Sequence, residues 1–478
     1  MKQNTSRGWI SINFMDVFDI QGGTQPPKKE FIYKEQEGYI RLLQIRDFGD
    51  KPVPTYIPKK KTLKICNEDD ILIGRYGASV GRICTGMPGA YNVALAKVIV
   101  PSQLYKKFVY FLLQSDVFQK AVLSTERSAQ NGFNKEDLSE IPVPLPPLNE
   151  QKRIVAKLEK LLAKVEACQE RLDRIPTILS RFRQSVLAAA CSGRLTADWR
   201  DTDHSHEYDY PITWKEVILG DIVKNLQQGW SPKCEIHPSP SNEVWGVIKT
   251  TAVQSLNFVE SENKKLPAHL KPRTDLEIQK GDVLITRAGP RARAGVTCLV
   301  SSVRPKLIVC DKVYRFHAKQ SDILAEYLVY YLNSPSAISI IDELKTGISD
   351  SGVNLTQKKF LALTLCIPPP AEQQEIVKRV ETLFQKADRI EQRYHKAKAY
   401  VDKLTQSILA KAFRGELVPQ DPNDEPASVL LERIRTERAK QETEAKAAKK
   451  SKKGSKGGRK KKKPAEPKQL EIPGIDVC

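Results

Sequence analysis

The sequence predicts an α+β chain, with two mixed α/β domains joined by two long helices that form an antiparallel coiled coil, written as an internal two-fold pseudo-repeat. Three observations carry this expectation. The chain of 478 residues repeats itself at a nearly constant distance. Each copy ends in a segment whose apolar residues recur every 3.5 positions. Ahead of each such segment lie short β-rich runs broken by Gly, Pro and basic loops.

The repeat is clearest in the helical segments. KLTQSILAKAFRGEL (403–417) lies 222 positions after RFRQSVLAAACSGRL (181–195), and PPPAEQQEIV (368–377) lies the same distance after PPLNEQKRIV (146–155). Upstream the distance drifts. KGDVLITRAG (280–289) follows EDDILIGRYG (68–77) by 212, and YLVYYLNS (327–334) follows FVYFLLQS (108–115) by 219. Trp9 aligns with Trp214 and Pro26 with Pro232. Drift of this kind means insertions inside the domains and a fixed length in the helices.

The seam of the first helix reads Ile154, Leu158, Leu161, Val165, Cys168, Leu172, Ile175, Leu179, Phe182 and Val186. That of the second reads Ile376, Val380, Leu383, Ala387, Ile390, Tyr394, Ala397, Val401, Leu404 and Ile408. Spacing of 4-3-4-3 is the heptad signature of two helices winding left-handed around each other. Prolines precede both helices, where a missing N–H costs nothing, and Gly193 and Gly415 follow them as stops. About 42 residues at 1.5 Å per residue make each helix ~63 Å long. Pro176 falls inside the first and should kink or break it. A pseudo-two-fold axis across equivalent helices in one chain would make the pair antiparallel, and the spacing alone leaves parallel pairing open.

The boundaries expected are a first domain over 1–148, a first long helix over 149–195, a polar linker over 196–213 and a second domain over 214–368. A second long helix over 369–417, a short helix over 418–440 and a basic disordered tail over 441–478 complete the chain.

Composition narrows the function. No apolar run reaches the ~18 residues of a membrane span, and the opening MKQNTSRGWISINF lacks the apolar core of a secretory signal. Nine cysteines stand at least twelve residues apart, which reads as reduced core cysteines in a cytoplasmic protein rather than a zinc site. Net charge is +20. Residues 446–463 hold eleven Lys and Arg and no acid, so the rest of the chain carries about +9. Such an excess suits a polyanion, because Lys and Arg release counterions from nucleic acid.

Catalytic motifs are missing. There is no P-loop, no dinucleotide fingerprint after a strand, no H-E-x-x-H and no Asp/Asn-Pro-Pro-aromatic signature of amino-group methyltransferases. Asp322 with Glu343-Leu344-Lys345 is only a faint echo of a nuclease metal site, and Glu343 and Lys345 fall in a predicted helix. Arg75 and Arg287 occupy matched places just after matched strands, the position of a DNA contact made once per half, or of a surface arginine kept by ancestry. Lys28, Lys29, Arg127, Lys233, Arg291 and Arg293 add basic loops that could touch phosphates or simply be solvated. Gly22-Gly23 could approach a phosphate through backbone N–H groups, although such glycines more often only turn the chain.

PPLNEQKRIVAKLEKLL with RFRQSVLAAACSGRL, and PPPAEQQEIVKRVETLF with LTQSILAKAFRGEL, resemble the specificity (S) subunit of type I restriction-modification systems, to about residue 440. The resemblance implies that each domain is a target recognition domain reading one half of a bipartite, gapped site on double-stranded DNA. It implies that the helices space the half-sites and dock two methyltransferase (modification) subunits, which use S-adenosylmethionine on adenine. Motor-nuclease (restriction) subunits using ATP and Mg²⁺ would join for cleavage, and this chain would itself hold no cofactor, no metal and no catalytic residue. Two other classes stay open: a self-sufficient nuclease or methyltransferase with unfamiliar motifs, and a non-specific DNA-binding coiled-coil adaptor.

Overall fold

The computed structural model describes residues 8–124, 132–200, 210–347 and 349–454. Two compact units emerge. One comprises Met1–Gln169 with Tyr400–Cys478, the other Glu170–Ala399. Each long helix contributes one end to each unit.

In the first unit the strand Asp19–Gly22 begins an antiparallel sheet that continues through Leu95–Ile99, Ile71–Gly74 and Ile83–Cys84. Beside it lies a mixed sheet in the order Tyr56–Pro58, Tyr39–Leu43, Gly89–Tyr91, Ile65–Cys66, in which Tyr39–Leu43 and Gly89–Tyr91 run parallel. A ribbon of Ile10–Asn13 against Pro142–Leu145 brings the two ends of the domain together at the start of the first long helix.

The second unit repeats the plan. Val223–Gln228, Val313–Ala318, Val283–Thr286 and Thr297–Leu299 form an antiparallel sheet in the same order. Gly246–Ile248 pairs parallel with Leu307–Ile308, and Lys215–Ile218 pairs with Thr364–Ile367 as the closing ribbon. Ile71–Gly74 and Val283–Thr286 stand 212 residues apart, the distance set by matching Asp70, Arg75 and Gly77 with Asp282, Arg287 and Gly289.

The long helices span Leu148–Cys191 and Pro370–Phe413. Gly193 and Gly415 follow with φ of 76° and 75°, the left-handed conformation that a side chain resists and that ends a helix. Pro176 lies within one continuous helix instead of dividing it. Pairing is antiparallel in each unit. In the first, Ile154, Leu158 and Val165 share a core with Ile408, Leu409, Ala412 and Phe413, and the Phe413 ring sits 5.4 Å from that of Phe108 in the adjoining domain. In the second, Val186, Leu187 and Ala190 pack with Ile376 and Val380. Arg183 pairs there with Asp388 (2.8 Å) and Glu391 (2.7 Å), and Lys398 with Asp173 (2.8 Å).

Most seam positions lie as the heptads predict. Ile154, Leu158, Val165, Leu179, Val186, Ile376, Val380 and Ile408 are buried, and Leu161, Leu172, Leu383, Val401 and Leu404 are half-buried. Cys168, Phe182 and Ile390 depart from the pattern and are exposed, the last two at 38% and 48%. A lone antiparallel partner covers only a narrow stripe, and an apolar residue slightly off that stripe meets water.

A polar pair joins each domain to its helix. Gln151 accepts the Tyr105 N–H (3.1 Å) and donates to the Pro146 carbonyl (3.0 Å). Its counterpart Gln373 accepts the Leu324 N–H (2.8 Å) and donates to Pro368 (2.9 Å) and Asp322 (3.2 Å). The neighbouring carboxylates differ. Glu372 receives Thr196 (2.7 Å), the Trp214 indole (3.0 Å) and the Arg200 guanidinium. Residues 196–200, expected as linker, are therefore packed structure, and Arg379 also holds Asp198 (2.6 Å). Glu150 is equally buried at 1% exposed, yet the adjacent Arg153 is turned to Asp424 (2.5 Å). Burial pushes the Glu150 carboxyl above its ordinary range, with Trp9 and Arg153 pulling it back only in part.

After the second helix the chain returns to the first domain. The C-terminal helix runs Ala427–Gly454, beyond the boundary at 440 where the disordered tail was expected to begin. Leu430, Leu431 and Ile434 join the first core, and Arg438 donates to the carbonyls of Met15 (2.9 Å) and Asp16 (3.2 Å).

Two outcomes follow for denaturant unfolding. Glu372→Ala strands Arg200, only 9% exposed, and should cost roughly 3–5 kcal/mol. Glu150 behaves oppositely. Because its pKa is raised in the folded state, the stability it lends is present below its unfolded pKa and is lost as pH rises through the folded one. Glu150→Gln should therefore match wild type near pH 4 and equal or exceed it at pH 8; a lower midpoint at pH 8 would contradict the assignment.

Candidate nucleic-acid interface

The turns that leave the antiparallel sheets build equivalent surfaces in the two domains. Arg75 leaves its strand by donating its backbone N–H to Ala94 (2.9 Å), and Arg287 does the same to Lys312 (2.8 Å). Both guanidiniums turn inward. Arg75 donates to the Phe133 carbonyl (3.4 Å) and lies 5.2 Å from the centroid of Tyr76. Arg287 donates to the Asp311 carbonyl (3.0 Å) and lies 5.4 Å from Tyr314. Each is half-buried, a brace with part of its fork still open to solvent.

Gly23 explains the paired glycines by packing. A Cβ there would fall 2.1 Å from the Asn92 carbonyl oxygen, so the chain can press against residues 91–92 only without a side chain. Gly229 meets Val309 in the same way, at 2.2 Å. These contacts lock the loop carrying Lys28 and Lys29, and the loop carrying Lys233, onto their sheets. Lys28 and Lys29 lie in the 3-10 turn Lys28–Glu30, exposed, and Lys233 is exposed as well.

The remaining basic loop residues separate by partner. Arg291 pairs with Asp342 (2.9 Å), which also holds Lys345 (2.7 Å). Arg293 donates to the carbonyls of Thr250 and Val253 (2.7 Å) and to Gln254 (3.2 Å), tying two loops together. Arg127 lies outside the described residues. Lys345, part of the faint nuclease pattern, is committed to Asp342 and to the Arg291 carbonyl (2.9 Å). Among the described residues no three His, Cys, Asp or Glu are grouped to hold a metal ion.

Behind each surface a matched carboxylate anchors the sheet. At Asp70 burial raises the pKa, but the Asn67 N–H and the ammoniums of Lys97 (3.1 Å) and Lys106 (3.3 Å) outweigh it and hold the carboxyl below its ordinary value. Asp282 is fully enclosed. Burial wins there and holds it above, despite the Gln279 N–H, Arg315 (3.8 Å) and His317 (2.7 Å). Neither carboxylate is presented to a ligand.

Sequence reasoning missed a set of lysines and hydroxyls in the second domain: Lys249, Thr250, Thr251, Lys264 and Lys312. Three separated segments supply them, so no local motif announces them. The available signal was a Lys at the edge of an apolar strand, just after one in GVIK and just before one in DKV.

The family model for the type I restriction modification DNA specificity domain matches residues 6–177 and 211–399, well over half of the chain. The chain belongs to the type I DNA specificity subunit family. The EcoKI specificity subunit of Escherichia coli K12 is 31% identical over 463 residues, covering 90% of this chain and 96% of that protein. The EcoBI specificity subunit of E. coli is 32% identical, over 90% and 92%. The EcoEI specificity subunit is 39% identical over 196 residues, 41% of this chain and a third (33%) of that protein. The same fold recurs in the HsdS subunit from Thermoanaerobacter tengcongensis, with a TM-score of 0.54 at 19% identity over 87% of this chain and all of the other. A chain from a study of type I R-M complex assembly and conformational transition gives 0.59 at 18% identity, over 86% and 99%. The two matched stretches coincide with the two structural repeats, and the function of the specificity subunit is recognition of DNA sequence.

The arginine geometry predicts a division of effects. Arg293→Ala removes a guanidinium from three backbone and amide acceptors and should lower stability by about 1–3 kcal/mol. Lys28→Ala and Lys29→Ala, on an exposed turn, should leave the melting temperature within about 0.5 kcal/mol equivalent. Thermal unfolding of the three variants checks the split.

Proposed function

We propose that each domain reads one half of a bipartite, gapped site on double-stranded DNA, and that the helix pair fixes the gap. What carries this reading is the duplicated sheet order with diverged loops. Identical scaffolds hold different side chains at equivalent turns, with Gln25, Lys28 and Lys29 in the first domain and Ser231, Lys233 and Cys234 in the second. Two unlike readers on one scaffold suit an asymmetric target, whereas a symmetric homodimer demands a palindrome. Exposed Lys28, Lys29 and Lys233 are the phosphate-facing positions. Arg75 and Arg287 act beneath them, keeping the loops in place with one edge toward the groove.

The subunit supplies recognition, and partner subunits supply chemistry. Two methyltransferase subunits would dock along the helices and transfer methyl groups from S-adenosylmethionine to adenine. Motor-nuclease subunits using ATP and Mg²⁺ would cleave. Support for a docking face comes from Ile178 (59% exposed), Phe182 and Ile390, large apolar side chains left uncovered on the helices of the second unit. A non-specific adaptor leaves the duplicated sheets and their unlike loops without a role. An enzyme in its own right needs a reactive constellation, and the carboxylates of Asp70, Asp282 and Asp342 near the loops are each held by neighbouring cations.

Mapping N6-methyladenine in the host genome with and without this gene tests the proposal. One gapped bipartite motif should disappear on deletion. Replacing residues 8–145 by the equivalent domain of a relative should change one half of the motif and leave the other half and the gap intact. A swap that alters neither half, or both, refutes the reading.

A further inference from the structure

The second domain holds a cleft of about 490 Å³ at the carboxyl ends of its parallel strands. Gly246–Ile248 and Leu307–Ile308 run side by side, and their chains leave the sheet into Lys249-Thr250-Thr251 and Cys310-Asp311-Lys312. Val247, Ile248 and Cys310, all buried, form the floor. Lys249, Lys264 and Lys312 stand around the rim with Thr250 and Thr251. Strand ends of this kind are where open α/β sheets place ligands, because backbone and side-chain donors converge there without a covering helix.

The charge of the cleft is one-sided. Asp311 is its one acidic lining residue, and the Ser231 hydroxyl already occupies it. Lys249 reaches Glu262 at 3.4 Å, a half-exposed and therefore weak pair. Lys264 and Lys312 are exposed and have no carboxylate partner among the described residues. The Thr251 hydroxyl donates to the same Glu262 (2.5 Å), which leaves the lysine ammoniums and the Thr250 hydroxyl around an apolar floor. Each Lys offers a point charge and Thr250 a directional donor, the chemistry of an anion site.

The first domain treats the same place differently. The paired bonds from Arg75 to Ala94 and from Arg287 to Lys312 fix the equivalence, as do those from Thr24 to Tyr91 and from Trp230 to Val309. Each 3-10 turn beyond the parallel strand is capped by one residue, Gln44 in the first domain and Lys249 in the second. Where the second domain has Lys249 and Lys312, the first therefore has Gln44 and Ala94. At these two positions the second domain is basic and the first is not.

We infer that this cleft grips the DNA backbone of one half-site, with Lys249, Lys264 and Lys312 neutralising phosphates and Thr250 donating to a phosphate oxygen. The inference rests on the reading of the chain as a two-half DNA reader, and deepens it by making the halves unequal: the second holds the backbone more firmly. Phosphate contacts set affinity and register and carry no sequence information.

The test uses the full chain assembled with its methyltransferase subunits and a duplex carrying the motif mapped in the host. Binding is measured from 50 to 300 mM salt for wild type and for Lys249→Gln/Lys264→Gln/Lys312→Gln. Each lost phosphate contact removes about 0.9 from the slope of log K against log salt, so the slope should fall by about 2–3. The methylated motif should not change, and arginine at the three positions should restore the slope. Lys312→Gln alone, at an exposed position, gives the same test with a fall of about 0.9 if the triple variant folds poorly. An unchanged slope in a folded variant overturns the assignment. A motif altered in one half also overturns it, since the lysines would then read bases. A wild-type complex with no gapped motif sinks the parent reading instead, an outcome visible before any variant is made.

Discussion

The Glu-Gln pair at the foot of each long helix is the constraint on which the rest depends. If each domain reads half of a gapped site, as proposed, it is useful only while its loops keep one orientation to its long helix. Gln151 and Gln373 provide this by bonding, through one side-chain amide each, the turn before the helix and the start of the domain's own first helical hairpin. An amide buried with both ends satisfied tolerates no slip, because any rotation leaves an unpaired donor or acceptor costing about 1–3 kcal/mol. Apolar packing of Phe108 on Phe413, or of Tyr330 on Phe384 at 6.1 Å, adds energy but little direction.

From that anchor the asymmetry of the molecule becomes intelligible. Glu372 is enclosed by Arg200, Thr196 and Trp214, so the chain between the halves is drawn into the second unit as a buckle. In the first unit the charges are exchanged: Arg153 of the first helix holds Asp424, and it is the segment after the second helix that is drawn in. Each half is therefore closed by a piece of chain that follows the other half's contribution to it: residues 194–200 in one, residues 424–438 in the other. Closing segments free of the helix seam can diverge, which fits a repeat whose helices hold a single distance of 222 while its domains drift.

The architecture was legible in the sequence because it rests on periodic burial and on duplication. A seam every 3.5 residues needs no knowledge of tertiary contacts, and matched Asp70/Asp282 and Arg75/Arg287 fixed the register of the central strands. The seam failed at Phe182 and Ile390, where heptad spacing continues but the partner does not reach. It also omitted Leu187, Leu409 and Phe413, which are buried in cores that the helices share with the domains. Candidate contacts were less legible. Whether an arginine in a loop is free depends on carbonyls far away in the chain, such as Phe133 for Arg75 or Thr250 for Arg293. The cleft lysines come from segments at 249, 264 and 312, and only the fold brings them together.

Physical roles in the recognition domains thus divide by depth. Carboxylates and arginines inside the sheets are paired with each other or with carbonyls, and their strength lies in low dielectric, where an unpaired charge is costly. Lys264 and Lys312 at the rim are exposed and have no carboxylate partner among the described residues, which under the proposed reading suits a ligand that must be bound and released along DNA. A subunit that searches a genome needs both. Rigid inner bonds keep the loops in one shape so that a wrong base meets an unyielding surface, and loosely held outer charges keep non-specific encounters short. On the proposed reading, specificity belongs to the loops between these layers, the region in which the two halves of this chain resemble each other least.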